Sequence, residues 1–473
     1  MDELGALCRQ NGWELAAVRE GKTDEGLEFV RGCAADMGIV VGLHFPRGAW
    51  FSVPRLSILQ CTLEHIPASD RGSVDGQKAG DKLARVRTVL HLAREGDQQV
   101  SRLQSRTFSL QPFDTPQSTA LKVDLIAEDL LLAALRDWHP GERPRGEPVP
   151  DESAEAEHIP LQPRADFAAF RASRTRPAWK LLLRSTAYAG PLPLRNWRRR
   201  QRKRFPLVIL CHHLISDRPH PMGLSTDGFL KQLGYLKRHY RLVSLREGIE
   251  LLESGRIEEP TAALTLDDGY EDNFLCLRTV LRVEPAPVTL FVCSELIEKR
   301  QPFPHDVRDR REGFLPLTVA QLQQLAAEGI EIGSHTRTHF NCGSMDGAML
   351  EKEIAGSRQD LERLLGQPVS YFAFPWGKPV NMSAEAREIA ARSYAHYFSA
   401  YGGVNFPGRT EPHLVRSAHP HDLWELELSL QQMLEFQPAE TRSSAAGEKA
   451  RVGDAGPSRS KAEAPETQPR KAS

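Results

Sequence analysis

Two adjacent carboxylates, and two histidines four residues apart, are the side chains of this sequence best suited to chemistry. Leu264–Tyr270 reads LTLDDGY, an apolar run that ends in Asp267, Asp268 and Gly269, and Ser334–His339 reads SHTRTH. Neither stretch makes a site alone. Together they supply one carboxylate and two imidazoles, a mixed donor set suited to a catalytic divalent ion, zinc above all. A second carboxylate is left over as a general base. A lone DDG is more often a solvated turn, and a lone HxxxH more often a helix surface or a packed core histidine. Both stand at strand ends here, and a third apolar strand running into Pro-Trp-Gly, Tyr371–Lys378 (YFAFPWGK), follows downstream.

The elements around these residues explain how they could meet. Ala262–Leu266 is short, apolar and followed by a glycine, as a buried parallel strand is. Ile330–Ile332 is a second such strand, closed by Gly333. In parallel α/β sheets, chemistry collects at the carboxyl ends of the strands. Neighbours on a strand point opposite ways, so one aspartate could face an ion and the other a substrate. A turn of helix after Gly333 would put His335 and His339 on one face.

From Phe205 onward strands and helices alternate. The pattern predicts strands at Pro206–His213, Leu242–Leu245, Val288–Ser294 and Ala395–Ala400. It predicts helices at Asp227–His239, Arg246–Ser254, Glu271–Val283, Thr318–Glu328, Asp346–Leu365 and Ser383–Ser393. Such alternation indicates a parallel sheet wrapped by helices, a barrel or an open α/β sheet. Residues 295–317, with Pro302, Pro304 and many charges, read as a lid or specificity loop.

The three chemical stretches resemble the motifs of the polysaccharide deacetylase family, also called the NodB-homology or carbohydrate esterase 4 family. The likeness runs from about Pro206 to Phe436. Thr265–Gly269 stands for the TFDDG motif, His335–His339 for the HTxxH motif, and Ala373–Gly377 for the RPPYG-like turn. The resemblance implies an irregular (β/α)7 barrel and a metal-dependent amidohydrolase removing an acyl group from an amino sugar. It implies Asp267 as general base and Asp268, His335 and His339 as ligands of one divalent ion. It also implies that backbone N–H groups around Trp376 hold the oxyanion, with Pro375 and Tyr270 against the substrate.

The sequence departs from the family at three places. The arginine of the third motif is Ala373, so whatever tunes the base aspartate must come from elsewhere. No DxxxW motif follows, and where an LxH motif would stand Leu414–Arg416 reads LVR. Leu210–His213, LCHH, resembles the strand opening the subgroup that acts on surface poly-N-acetylglucosamine. His213 is then the acid candidate, with His419 and His421 as rivals and a packed strand histidine as the plainer reading.

The rest of the chain frames this domain. Lys and Arg number 61 against 62 Asp and Glu, so the whole chain is no polyanion binder, and no nucleic-acid module is recognised. Seven cysteines without a CxxC pair fit buried thiols in a reducing compartment. The N-terminus shows no secretory pattern and no apolar run reaches the roughly 18 residues of a membrane span, so the expectation is a cytoplasmic protein. Residues 1–138 read as a smaller α/β domain, with strands at Asp36–Leu43, within Pro54–Pro67, at Val86–Ala93 and Ser105–Leu110, and a helix at Leu121–Trp138. Asp114 or Thr115 is the cap signal, with Pro116 in the first turn. This domain resembles the later part of the formyltransferase family, on GIVVG, PRLSILQCTLEHIPASDRG and LQPFDTPQS. Gln60 and Thr62 replace the asparagine and histidine of that family's NxHxSLLP pattern, and Asp97 lacks the following glycine of its DxG pattern. Without the imidazole, the domain reads as a catalytically degenerate remnant for packing, regulation or sugar recognition.

Residues 139–204 are a linker that begins Pro-rich and acidic. From Arg164 to Arg204 it carries thirteen Lys or Arg, one acid (Asp166), and interleaved aromatic and leucine residues. Such a segment can lie on an anionic leaflet, which would hold the enzyme peripherally on the inner membrane face. A solvated charged helix is the plainer reading. Residues 437–473 are polar and read as disordered. The expected substrate is an N-acylated amino sugar, lipid-linked in one version. The alternatives are N-deformylation of a polyprenyl-linked amino sugar and a non-catalytic carbohydrate- or partner-binding protein.

Overall fold

The structure is a computed structural model that describes residues 37–40, 57–66, 85–93, 101–136, 147–148, 191–400, 403–408, 411–417 and 422–430. Asp97, His419, His421, most of the 139–190 linker and the 437–473 tail lie outside the described residues.

An N-terminal sheet runs in the order β1 (Met37–Val40), β2 (Ser57–Ile66), β3 (Arg85–Ala93), β4 (Ser101–Ser109), β5 (Glu147–Pro148). Its first pair is parallel and the others antiparallel. Helix α1 (Pro116–Arg136) follows and packs on it through Leu90, Ile126 and Leu130. Thr115, one of the two expected caps, accepts from Ser118 N at 3.1 Å through Oγ1, and the helix opens at Pro116, where the cap signal put its first turn, ahead of the periodic stretch from Leu121. Asp114 instead faces a buried ion cluster. Lys122 donates to Asp114 (2.6 Å) and to Asp217 (2.5 Å), with all three side chains buried. Asp129 of α1 likewise takes both terminal nitrogens of Arg278 at 2.8 Å. Two buried cations thus tie α1 to Asp217 and to the helix Asp272–Val283, both in the second, larger part of the fold.

That sheet is parallel throughout. Its strands are β6 (Leu207–His212), β9 (Arg241–Leu242), β10 (Thr261–Leu266), β11 (Val288–Val292), β12 (Glu331–Ser334), β13 (Tyr371–Ala373), β14 (His396–Ser399) and β15 (His413–Val415). Two short strands, β7 (Leu214–Ile215) and β8 (Gly223–Leu224), pair apart from it. The order is β15-β14-β13-β12-β11-β10-β6, with β9 beside β10. The chain beyond β15 closes the ring: Ser417 N donates to Ile209 O at 2.8 Å, and Cys211 N to Ser417 O at 2.9 Å. The result is the expected barrel, in near-closed form.

Each long strand is buried on both faces, as its unbroken apolar composition requires. Alternate residues divide between two cores. Leu207, Ile209, Ala263, Phe291, Tyr371, Phe398 and Leu414 share the inner cluster. Val208, Leu210, Leu264, Leu290 and Ile332 face the surrounding helices. The helices begin where the capping signals stand: Ser225 before Thr226–His239, Ser244 before Leu245–Glu253, Thr318 before Val319–Ala327 and Ser383 before Ala384–Ser393. Among the described residues no helix is long and apolar enough to cross a membrane. Cys211, Cys276, Cys293 and Cys342 are free and buried.

Gly333 sets the filling of the inner core. A Cβ there would stand 2.5 Å from two ring atoms of Phe291, whose ring packs on Phe398 at 5.5 Å. Gly333→Ala should therefore destabilise the domain by about 1–3 kcal/mol, the usual range for overpacking. Urea unfolding checks this, and an unchanged midpoint would mean the ring moves aside freely.

Candidate active site

The polar side chains converge at the carboxyl ends of β6, β10, β12 and β13. Asp267 N continues the ladder by donating to His212 O at 2.9 Å. The next two residues leave strand geometry: Asp268 has φ +72° and Gly269 φ +85°. A Cβ on Gly269 would meet Val292 Cγ1 at 2.8 Å, so the turn needs glycine there. The two carboxylates therefore separate through a left-handed turn, and not through the strand alternation expected from sequence.

The histidine pair is also placed differently from expectation. His335 N extends the ladder to Val292 O at 2.9 Å, after which Thr336 (φ +67°) and His339 (φ +59°) are left-handed. No helical turn forms. The loop is instead anchored by the buried Glu353, which accepts from Arg337 N (2.9 Å), Thr338 N (3.0 Å) and Thr338 Oγ1 (2.9 Å). Left-handed non-glycine residues carry strain that surrounding contacts must hold, and Glu353 supplies three of those contacts.

Asp268, His335 and His339 each bring one donor atom to within 4.8 Å of the others. Asp268 Oδ1 lies 3.5 Å from His335 Nε2 and 3.3 Å from His339 Nε2. The carboxylate is 1% exposed, and neither oxygen accepts a hydrogen bond among the described residues. Burial pushes its pKa up, but the close approach of His339 outweighs that and holds it well below the usual range. His335 Nδ1 sits 2.8 Å from Ala373 O, so Nδ1 donates and the Nε2 lone pair is turned toward Asp268. Burial lowers His335 to about 4, so the ring is neutral at physiological pH. A buried, unsatisfied carboxylate facing the lone pair of the neutral His335 ring is costly alone, and the set of Asp268, His335 and His339 fits a divalent cation.

Asp267 has a different environment. Arg416, itself fully buried, grips it with two bonds: Nη1 to Oδ1 and Nη2 to Oδ2, both 2.7 Å. Arg416 also donates to Thr265 Oγ1 (3.1 Å) and Ser399 O (3.2 Å), and its guanidinium lies 5.2 Å from the Phe291 ring centre. Burial raises the Asp267 carboxyl, while Arg416 and His335 pull it below the ordinary value. The cation missing at Ala373 thus arrives from Arg416, where the LxH histidine was looked for. Arg416 follows β15 directly, and its partner Asp267 is 149 positions away, so the local sequence did not reveal the pair. His213 lies beside this pair, a ring nitrogen within 4.8 Å of Cys211 Sγ and of an Asp267 oxygen. Its neighbour His212 instead packs outward on Gln232 at 3.0 Å.

The third motif contributes a rim. Pro375 is buried, while Trp376 is left-handed (φ +57°), exposed, and edge-on to His339 at 4.5 Å between ring centres. Gly377 must be glycine, since a Cβ would fall 2.1 Å from Ala400 N. Tyr270 is not a substrate contact. It is fully buried, with its hydroxyl held by His305 (2.7 Å) and Asp306 (2.8 Å). The expected lid at 295–317 is an ordered element. It contains short helices Ser294–Lys299 and Pro304–Arg308 and buries Phe303, Phe314 and Asp306. Asp306 pins it by accepting from His220 (3.0 Å) and Arg311 (2.9 Å). Sequence reasoning missed His305, Asp306 and His220 because no motif contains them.

Fold and site together define a class: parallel α/β barrels whose strand ends carry an Asp-His-His triad that could hold a cation, beside a second, arginine-clamped carboxylate. Residues 254–397 match the family model described as polysaccharide deacetylase, and this stretch is a polysaccharide deacetylase domain. The chain is 23% identical over 184 residues to the Bacillus subtilis (strain 168) protein YxkH, whose name assigns it provisionally to the polysaccharide deacetylases. That alignment covers 38% of this chain and 61% of YxkH. It is 31% identical over 146 residues to a Bacillus sp. gellan lyase, covering 31% of this chain and 5% of that one. The chain thus spans less than two thirds of either relative. Among solved structures, IcaB from Ammonifex degensii aligns at 24% identity and TM-score 0.40, over 48% of this chain and 97% of its own. The Streptococcus pyogenes deacetylase PplD, in complex with acetate, aligns at 19% identity and TM-score 0.40, over 48% and 98%. The family match begins at residue 254, outside the N-terminal sheet and its formyltransferase likeness.

Two predictions follow from the electrostatics. His212 and His335 are both buried and lowered to about 4, each by desolvation first. The unfolded chain therefore binds protons there below about pH 6.5 that the folded chain refuses. Without metal, stability should be full above that pH and fall as pH drops toward 4, by about 3 kcal/mol per histidine at the limit. The depressed Asp267 and Asp268 lose their contributions in the same direction, below about pH 4. Urea titrations in EDTA between pH 7.5 and 4.5 measure this, and a flat profile contradicts it. Separately, Arg416→Met should cost about 3–5 kcal/mol by leaving Asp267 buried and unpaired. It should also raise the Asp267 carboxyl, moving the acid limb of any activity profile to higher pH.

Proposed function

We propose that the barrel is a metal-dependent hydrolase that removes an N-acyl group, acetyl in the first instance, from an amino sugar or its polymer. The observation that carries this reading is the pairing of two adjacent aspartates with opposite surroundings. Asp268 is buried without hydrogen-bond donors beside His335 and His339, and Asp267 is fully hydrogen-bonded by Arg416. One carboxylate is built to meet a cation and the other to stay ionised. The match of residues 254–397 and the name of the Bacillus subtilis relative supply the substrate class.

Asp268, His335 and His339 would hold the ion. When bound, a divalent cation polarises the acyl oxygen and makes water a better acid. The chain's own groups handle the protons. Asp267 takes one from the attacking water, and Arg416 keeps its carboxylate charged for that step at neutral pH. The same clamp limits its basicity, so proton transfer depends on the cation's help. The acyl C–N bond then breaks and the amine leaves with a proton, for which His213, beside Asp267, is the donor. Backbone N–H groups at the left-handed Trp376 turn face the developing oxyanion in this reading. The exposed indole offers a flat apolar face to a sugar ring.

The test combines elemental analysis with release of free amine from N-acetyl and N-formyl amino sugars. The sugars are offered with and without a polyprenyl carrier, because the described end of the basic segment exposes Leu194 and Trp197. Asp268→Ala should lose both metal and turnover. Asp267→Asn should keep metal and lose turnover by about a hundredfold or more. Full activity in Asp267→Asn would remove the base assignment, and a wild-type chain that neither retains zinc nor releases amine would remove the hydrolase.

A further inference from the structure

His305 belongs to no motif, yet its ring centre lies 4.9 Å from that of His339. It sits in the short helix Pro304–Arg308, is 7% exposed, and stacks on Phe303. Its Nε2 is 2.7 Å from the Tyr270 hydroxyl oxygen. A neighbour decides which way that bond points. The same hydroxyl is 2.8 Å from Asp306 Oδ2. Burial raises Asp306, but bonds from His220, Tyr270 and Arg311 outweigh it, so this carboxylate is ionised and can only accept. The tyrosine's single proton therefore goes to Asp306, and its oxygen meets His305 as an acceptor. His305 Nε2 must carry the hydrogen.

In a neutral imidazole the other nitrogen is then a bare lone pair. His305 Nδ1 is buried and accepts no hydrogen bond among the described residues. A protonated ring would instead bury an N–H with nothing to donate to, which is worse. The ring stands against His339, outside the three donor atoms that lie within 4.8 Å of one another, with its tautomer fixed from behind by Tyr270 and Asp306. Metal-ligating histidines are supported in just this manner, by a carboxylate or other acceptor on the far nitrogen.

We propose that His305 is the third imidazole of the cation pocket, its Nδ1 lone pair facing the ion that Asp268, His335 and His339 would hold. Tyr270 and Asp306 are positioning residues for it. The segment between β11 and β12 then supplies part of the site, where sequence suggested a cover. This inference rests on the metal reading given above and adds a residue to it.

The test is zinc affinity of the full-length protein by competition with a chromophoric chelator, with 15N shifts of the histidine rings as a second readout. His305→Ala should weaken zinc by about tenfold to a hundredfold, the range for supporting groups around a metal. Asparagine carries its amide oxygen where Nδ1 stands and glutamine carries its own near Nε2. His305→Asn should therefore retain most of the affinity, and His305→Gln should behave like His305→Ala. Tyr270→Phe should weaken zinc in the same direction by less. In the metal-free protein the His305 signal, assigned by its loss in His305→Asn, should show a protonated Nε2 and a bare Nδ1 whose shift moves on adding zinc. Equal zinc affinity in all variants, or an Nδ1 shift unmoved by zinc, overturns the inference. A wild-type chain that binds no zinc instead overturns the metal reading beneath it.

Discussion

A guanidinium sealed inside a barrel is the constraint around which this structure is arranged. Arg416 has no access to solvent, so every face of it must be answered by the protein. Asp267 takes two of its nitrogens, Thr265 and Ser399 take further protons, and Phe291 lies under its plane. Those partners come from β10, β11, β14 and the residues after β15. Moving any one of these strands along its axis would strand a charge in a medium that cannot solvate it. The pair therefore fixes strand register at the top of the barrel as firmly as the apolar layers fix it below, and it leaves Asp267 rigid and ionised at the edge of the site.

Next to that satisfied pair stands an unsatisfied carboxylate, Asp268. The contrast arises within a single peptide unit, because the left-handed step at Asp268 turns its side chain away from the arginine and toward His335 and His339. Strain at Asp268, Thr336, His339 and Trp376 is gathered around one small volume. Glu353, fixed on the long helix Gly347–Leu365, holds the histidine loop in that conformation through three hydrogen bonds. The site is thus stiff on all sides before any ligand arrives, which is what positioning of a reacting group needs.

Much of this could be read from the chain. Short apolar runs such as Ala262–Leu266 and Ile330–Ile332 announced buried parallel strands because only two-sided burial tolerates them. Asp268, His335 and His339 were found because each sits within a few residues of a strand end. What sequence hid were contacts between distant residues. Arg416 and Asp267 are 149 positions apart, and nothing local to LVR tells an arginine from a failed histidine motif. His305 lies in a five-residue helix with no periodicity to betray its inward face. The spacing of four in His335–His339 imitates a helix, while the backbone there owes its shape to Glu353, a residue the local pattern does not include. Tyr270 was misread because adjacency to a motif says nothing about which way a ring points.

The ion cluster where α1 meets the barrel bears on how such a chain can change over generations. Lys122 is shared between Asp114 and Asp217 out of contact with water, and Arg278 between Asp129 and Glu328. Once a lysine of one module quenches an aspartate of another, neither gene segment can be discarded singly without exposing a naked buried charge in the survivor.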